Sequence, residues 1–290
     1  MADDSPIKVT PNVLLCATNG RGADGLGDAL DTYCTHVIYT GPMAIERSEN
    51  SGKLYVSIQD SEGYRVFSGL TKNHERFLSF RSKAAIWNEG DVLHALVVYL
   101  RYFKLRGVEL VMGSHLESTK FIRFCQHLLK PAPSLLPKCP NTYYVLMPPR
   151  SQRHRLWQVH PWRRHLHADN VCFTFSMAVI KARKGPVRNA MLGYSYTGLK
   201  EPCQQTSMER GVDWKALSRF RENRTVYYAY DNKQTITNKL WRLSHEFPRY
   251  CVAAYDVERD DFEDVCPKKS VPLLRVVRKL VTAMRQTRAE

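Results

Sequence analysis

Short apolar runs, nearly continuous and rich in β-branched residues, are the strongest constraint on how this chain folds. Val13–Cys16 (VLLC), Cys34–Tyr39 (CTHVIY) and Lys53–Ile58 (KLYVSI) each span four to six residues. A half-exposed strand alternates apolar and polar positions. A run without that alternation predicts a strand covered on both faces, as parallel strands are. A Gly- and Asp-rich loop, Asn19–Asp28, separates the first two runs, and helical patterns follow. Asp91 is placed to cap a helix through Phe103, in which Val92, Leu93, Leu96, Val97, Leu100 and Phe103 follow i, i+3, i+4 spacing. Gly107 is expected to stop that helix ahead of a strand over Val108–Met112. Thr119–Leu129 reads as a second amphipathic helix, ended by Pro131 and Pro133. Near the C-terminus Ser270 is placed to cap a helix with Pro272 in its first turn. Its expected buried face is Leu273, Leu274, Val277, Leu280, Val281 and Met284. Strands alternating with helices predict a parallel α/β fold. An open doubly wound sheet and a closed eight-stranded barrel both satisfy the pattern.

At 290 residues the chain can bury a sizeable core, as one large domain or two smaller ones. No uncharged apolar run approaches the ~18–20 residues that span a bilayer; Val92–Leu100 is the longest candidate. The start, MADDSPIKVT, lacks the basic residues, apolar stretch and cleavage site of a signal peptide. No Gly-rich phosphate cradle occurs. None of the eight cysteines forms a CxxC pair, so neither metal nor cofactor is expected, and the cysteines read as disulfides or buried thiols. A net charge of +15 favours acidic partners, or is simply a basic surface. Asn223-Arg224-Thr225 is one glycosylation sequon.

Four blocks stand in order along the chain: LLCATNG with YCTHVIY (Leu14–Gly20, Tyr33–Tyr39), KLYVSIQD (Lys53–Asp60), FSGLTKN through FKLRGVELVMG (Phe67–Gly113), and YYAYDNKQTITNKL through CVAAYDVERDDFEDVC and PLLRVV (Tyr227–Val277). Together they resemble the family 18 glycoside hydrolases, which include chitinases and chitinase-like lectins. The resemblance implies a (β/α)8 TIM barrel over residues 11–286, after a tail of residues 1–10, with its cleft at the C-terminal ends of the strands. It implies disulfides Cys16–Cys34 and Cys203–Cys266 and an extracellular, secreted protein. KLYVSIQD is similar to the family's third strand, with Gln59 and Asp60 where the family has two glycines. The middle of the chain matches poorly. Thr142–Met147 and Val171–Ile180 are the strand candidates there, and the short span implies a trimmed barrel without the α+β insertion that deepens the cleft in many relatives.

The chemistry of that family is substrate-assisted: the sugar's acetamido group attacks, and one glutamic acid protonates the leaving oxygen. Its fourth-strand motif, Asp-Gly-x-Asp-x-Asp-x-Glu, falls on Arg106, Gly107, Val108, Glu109, Leu110, Val111, Met112 and Gly113. Arg106, Val111 and Gly113 replace three of the four acids, and Glu109 conserves one charge. No catalytic residue is therefore expected, and Glu117 is the nearest carboxylate that could stand in. Tyr255 falls where the family has a sugar-flooring Trp; it reads equally as a core side chain. Tyr230 and Asp231 match a family Tyr-Asp pair, and with Glu109 they complete the candidate ligand residues. Phe175-Ser176 is the counterpart of the Tyr-Asp on the sixth strand. Outside the matched blocks, Arg150, Arg153, Arg155, Arg163 and Arg164 interleave with Trp157 and Trp162, a composition suited to sulfate, phosphate and stacking.

Three readings follow. The first is a catalytically inactive chitinase-like protein that binds chitin or other GlcNAc-containing glycans, or protein partners. The second is an active hydrolase with a relocated acid. The third is a basic module for heparin-like anionic glycans or nucleic acid through residues 150–167. The stretch carries no standard nucleic-acid-binding motif, which makes nucleic acid the less expected partner.

Overall fold

The computed structural model describes residues 13–22, 24–71, 75–80, 95, 98–100, 102–105, 107–110, 144–146, 171–185, 191–214, 217–246, 251–262, 266 and 272–286. The first two apolar runs become strands β1 (Leu14–Thr18) and β2 (His36–Tyr39), joined by helix α1 (Leu26–Tyr33). Both strands are buried along their whole length. They pair in parallel, Leu15 beside His36 and Ala17 beside Ile38.

The third run corrects the sequence reading. Leu54–Ile58 (β4) is not a barrel-type strand; it pairs antiparallel with Met43–Arg47 (β3) in a separate two-stranded hairpin. Asp60, read as a strand end, is instead the N-cap of helix α2 (Ser61–Ser68), and its carboxylate accepts from the amide of Gly63 at 3.1 Å. The third parallel strand is β5 (Glu75–Phe80), followed by β6 (Gly107–Leu110).

The helix expected before β6 is present at Ala95, residues 98–100 and Tyr102. Its terminator is Lys104, not Gly107. Lys104 adopts φ 52°, and the amide of Leu105 reaches back to the carbonyl of Leu100 at 2.8 Å, closing the last turn in the left-handed manner usually left to glycine. Gly107 lies inside the strand.

Among the described residues, strands β7 (Tyr144–Leu146), β8 (Val171–Ser176) and β14 (Cys251–Tyr255) extend β1, β2, β5 and β6 to a seven-stranded parallel sheet in the order β6-β5-β2-β1-β14-β8-β7. The first strand thus sits in the middle, beside the last. The two edge strands, β6 and β7, approach each other within 8 Å between Cα atoms. One face of the sheet gathers Val13, Leu15, Ala17, Ile38, Phe77, Ala253 and Tyr255. The other packs Leu14, Cys16, Val37, Leu78, Val252 and Ala254 against the helices. Burying both faces is what unalternating apolar runs require.

Val171–Ile180, read as one strand, breaks at Met177, whose amide turns to the carbonyl of Tyr255 at 2.8 Å. Beyond the break the chain builds an antiparallel sheet from β9 (Val179–Lys184), β10 (Met191–Thr197), β11 (Glu209–Asp213), β12 (Ser218–Glu222) and β13 (Val226–Tyr230), in the order β10-β9-β13-β12-β11. A short helix, α3 (Lys200–Gln204), lies between β10 and β11. This sheet corrects the expectation that the chain was too short to carry an inserted unit: it stands between β8 and the helix that leads to β14.

That helix, α4 (Lys233–Glu246), starts with a reciprocal cap. The Asn232 side-chain oxygen, Oδ1, accepts from the amide of Thr235, while the Thr235 hydroxyl accepts from the amide of Asn232. The last helix, α5 (Leu273–Gln286), buries Leu273, Leu274, Val277 and Val281 as expected, with Val276 in addition. Its expected cap, Ser270, lies outside the described residues. Asp260 serves that end, accepting from the amides of Leu273 at 3.0 Å and Leu274 at 2.8 Å. Both implied disulfides are formed, Cys16–Cys34 and Cys203–Cys266. Among the described residues no helix is long and apolar enough to cross a membrane.

Candidate functional site

The C-terminal ends of β1, β8 and β14 bring together polar groups that continuous apolar strands would otherwise exclude. Thr18, at the end of β1, is fully buried. Its hydroxyl donates to Glu258 at 2.8 Å and accepts from the amide of Gly20 at 3.0 Å. Ser176, at the end of β8, donates to the carboxylate of Asp256 and accepts from the amide of Ala178. Asp256 follows β14 in the left-handed region, φ 54° and ψ 40°, a conformation Asp tolerates better than most residues. It opens a single 3-10 turn, Val257–Arg259, which carries Glu258 back over the end of β1.

Nearby, the loop after β1 is fixed by close backbone packing. Gly20 has φ +76°, and a Cβ there would sit 1.9 Å from the carbonyl oxygen of Gly63. Arg21 then pairs with Asp60 at 2.6 Å. The Arg21 guanidinium, helped by the Gly63 amide, holds the Asp60 carboxyl below its ordinary range.

A pocket of about 420 Å³ opens between the inserted sheet and the segment that follows β14. Its walls are Thr197–Glu201 and Gln204 on one side and Glu258–Phe262 on the other. Most of its carboxylates already have structural duties. Asp260 caps α5, and Asp261 accepts from the amide of Cys266 at 2.9 Å. Glu201 accepts from Lys181 and from the Tyr228 hydroxyl; burial pushes its carboxyl up, but these donors and Thr197 bring it below the ordinary range. Glu258 differs. Burial pushes its carboxyl up and the charge of Asp256 adds to this, against the opposing bonds from backbone amides and Thr18. A carboxyl raised in this way on a pocket wall is in an environment that suits a hydrogen-bond donor or a general acid, and burial raises Asp260 on the same wall as well.

The positions expected from the sequence fall differently. Tyr255 ends β14, but its ring is only 3% exposed within the inner-face cluster, so it offers no open surface for a sugar to stack on. Tyr230 ends β13, half-buried, its hydroxyl facing the Arg221 guanidinium at 3.3 Å. Asp231 is committed to structure: both its oxygens accept from Lys239, at 2.6 and 2.7 Å, and one also accepts from Thr235. Phe175-Ser176 lies at the end of β8, the sixth strand of the parallel sheet in chain order among the described residues, and adjoins β14 directly. Glu109 lies in β6 opposite Ser79, a residue whose buried hydroxyl has no hydrogen-bond partner among the described residues. Arg106, Val111, Gly113, Glu117 and the whole basic stretch from Arg150 to Arg164 lie outside the described residues. Among the described residues, no group of three or more His, Cys, Asp or Glu could hold a metal ion.

Thr18, Asp256 and Glu258 were not singled out from the sequence; Ser176 was named only as part of the Phe175-Ser176 counterpart of a family Tyr-Asp. The available signal was positional: a Tyr-Asp-Val-Glu run directly after an apolar strand, where a parallel α/β protein keeps its site.

No protein-family model matches the chain, and no curated protein matches it by sequence. Solved structures do match in fold. Human YKL-39, a pseudo-chitinase with retained chitooligosaccharide binding, superposes with a TM-score of 0.71 at 12% identity, over 93% of this chain and 99% of that one. The Group II chitinase catalytic domain 2 of Ostrinia furnacalis gives 0.69 at 13%, over 94% and 97%. A chitinase-like agglutinin of Robinia pseudoacacia gives 0.60 at 14%, over 94% and 99%. The fold is chitinase-like, and identities this low carry nothing further by themselves.

Proposed function

We propose that this chain is a non-hydrolytic chitinase-like protein that binds GlcNAc-containing glycans at the C-terminal mouth of its parallel sheet and acts outside the cell. The carrying observation is Gly113 at the motif position of the proton donor. A glycine has nothing to donate, and loss of a general acid alone costs roughly 10²–10⁴ in rate. Two features support retained binding. A pseudo-chitinase of similar fold keeps chitooligosaccharide binding, and the mouth carries the half-buried Ser176, Asp256 and Glu258, a hydroxyl and two carboxyls of the kind that match a sugar's donors and acceptors. The disulfides Cys16–Cys34 and Cys203–Cys266 support an oxidising compartment. The close approach of β6 and β7 supports closure of the sheet into a (β/α)8 barrel.

Titration calorimetry with a chito-oligosaccharide tetramer tests this reading. Binding without turnover is expected. Thr18→Val, which removes one of the hydrogen bonds that hold Glu258 in place, should weaken it about 3- to 10-fold, the value of one hydrogen bond.

A second reading, an active hydrolase with a relocated acid, gains one specific candidate in Glu258, which replaces Glu117 as the group to test. Turnover of a fluorogenic chito-oligosaccharide that disappears in Glu258→Gln would overturn the non-hydrolytic reading.

A further inference from the structure

The turn between β12 and β13 carries a feature the glycan-binding site does not use. The two strands pair up to Glu222 and Tyr227, and Asn223, Arg224 and Thr225 form the exposed connection. The side-chain oxygen of Asn223 accepts three hydrogen bonds: from the amide of Thr225 at 2.9 Å, from the Thr225 hydroxyl at 3.1 Å and from the amide of Val226 at 2.8 Å. This is an Asx turn closed by the hydroxyl two residues on. It leaves the side-chain nitrogen, Nδ2, with no partner among the described residues.

Three donors on one amide oxygen stabilise its negative resonance form. That draws electron density from nitrogen and makes an Nδ2 proton easier to remove, which is the activation a carboxamide needs before it can attack carbon. The residue between is Arg, not Pro, so the turn is not blocked. Asn223 heads the chain's one Asn-x-Ser/Thr triplet.

We propose that Asn223 is a site of N-linked glycosylation, with a lipid-pyrophosphate-linked oligosaccharide as the donor. The Nδ2–C1 bond to the sugar forms as the C1–oxygen bond to pyrophosphate breaks. The lipid pyrophosphate leaves with the electron pair, and one Nδ2 proton passes to a base of the transferase. The inference rests on the extracellular reading above, because the donor belongs to the compartment that also forms the two disulfides. None of the three turn residues lines the pocket, so the glycan leaves that site open.

The test supplies the compartment and so separates the two claims. The full chain, fused to a cleavable secretory leader and carrying an appended C-terminal Asn-Ser-Thr tag, is translated with endoplasmic-reticulum microsomes. Protease-protected chains are then treated with an N-glycan-removing amidase. Two glycans are expected on the parent chain and on Thr225→Ser, and one on Asn223→Gln and on Thr225→Ala. Protected chains that carry the tag glycan alone overturn the proposal. So does a second glycan that survives Asn223→Gln. Secretion of the protein from intact cells is scored separately and bears only on the extracellular reading.

Discussion

A single carboxyl, Glu258, shows how burial turns an ordinary side chain into a titration device. Its folded proton affinity is raised, by burial first and Asp256 second. Below the ordinary glutamate range both folded and unfolded states hold the proton, and Glu258 costs nothing. As pH rises through that range the unfolded chain ionises first, so the fold loses stability until the raised folded value is passed. Glu258→Gln should therefore raise the melting temperature at pH 7–8, with the gain shrinking toward zero near pH ~4; a gain equal at both pH values would refute the assignment. Asp231 and Lys239 illustrate the opposite case, a pair buried to 9% and 10% exposure that satisfies itself. Lys239→Met strands the carboxylate and should cost roughly 3–5 kcal/mol in urea denaturation, whereas adding Asp231→Leu should recover much of that loss. Sequence alone showed that Asp231 follows a tyrosine at a turn. It did not show that a lysine two helical turns later would claim both its oxygens.

Among the elements, strands buried on both faces were the most legible. Leu14–Thr18 and His36–Tyr39 read correctly because no polar side chain interrupts them. Leu54–Ile58 misled because Tyr55 counts as apolar, yet it is 46% exposed and hydrogen-bonded to Glu46. The true pattern is Leu54, Val56 and Ile58 on one face, the alternation of a hairpin strand. The helix end at Lys104 was missed for a related reason: glycine is the usual left-handed residue, and the chain used a lysine three positions earlier. The inserted sheet escaped notice because its strands carry charges on both faces, Lys181, Arg183, Arg219 and Arg221 on one and Lys184 and Glu222 on the other, so no periodicity stood out. The joint between β1 and α2 makes its own prediction. Gly20→Ala places a methyl against the Gly63 carbonyl in a left-handed conformation, and should destabilise by roughly 2–5 kcal/mol in a thermal or urea unfolding series.

For the whole molecule, the order of blocks along the sequence carried the fold. The candidate site was only half visible, since its polar groups come from three strands distant in sequence and owe their character to burial. The net charge of +15 belongs to this scale too. Retention on a heparin column should weaken steeply with salt, and Arg163→Ala with Arg164→Ala should lower the eluting salt concentration; an unchanged elution would remove residues 150–167 as an anionic-glycan surface. The Cys203–Cys266 bond, which joins α3 to the chain beyond β14, has a mechanical consequence. Pulled from its two ends, the protein cannot pay out the 63-residue separation the bond spans. At ~3.4 Å per residue, about 210 Å of contour stays shut inside a covalent loop. β11, β12, β13, α4 and β14 are therefore never loaded in series, and a single-molecule extension trace should lengthen by that amount only once a reductant cuts the bond.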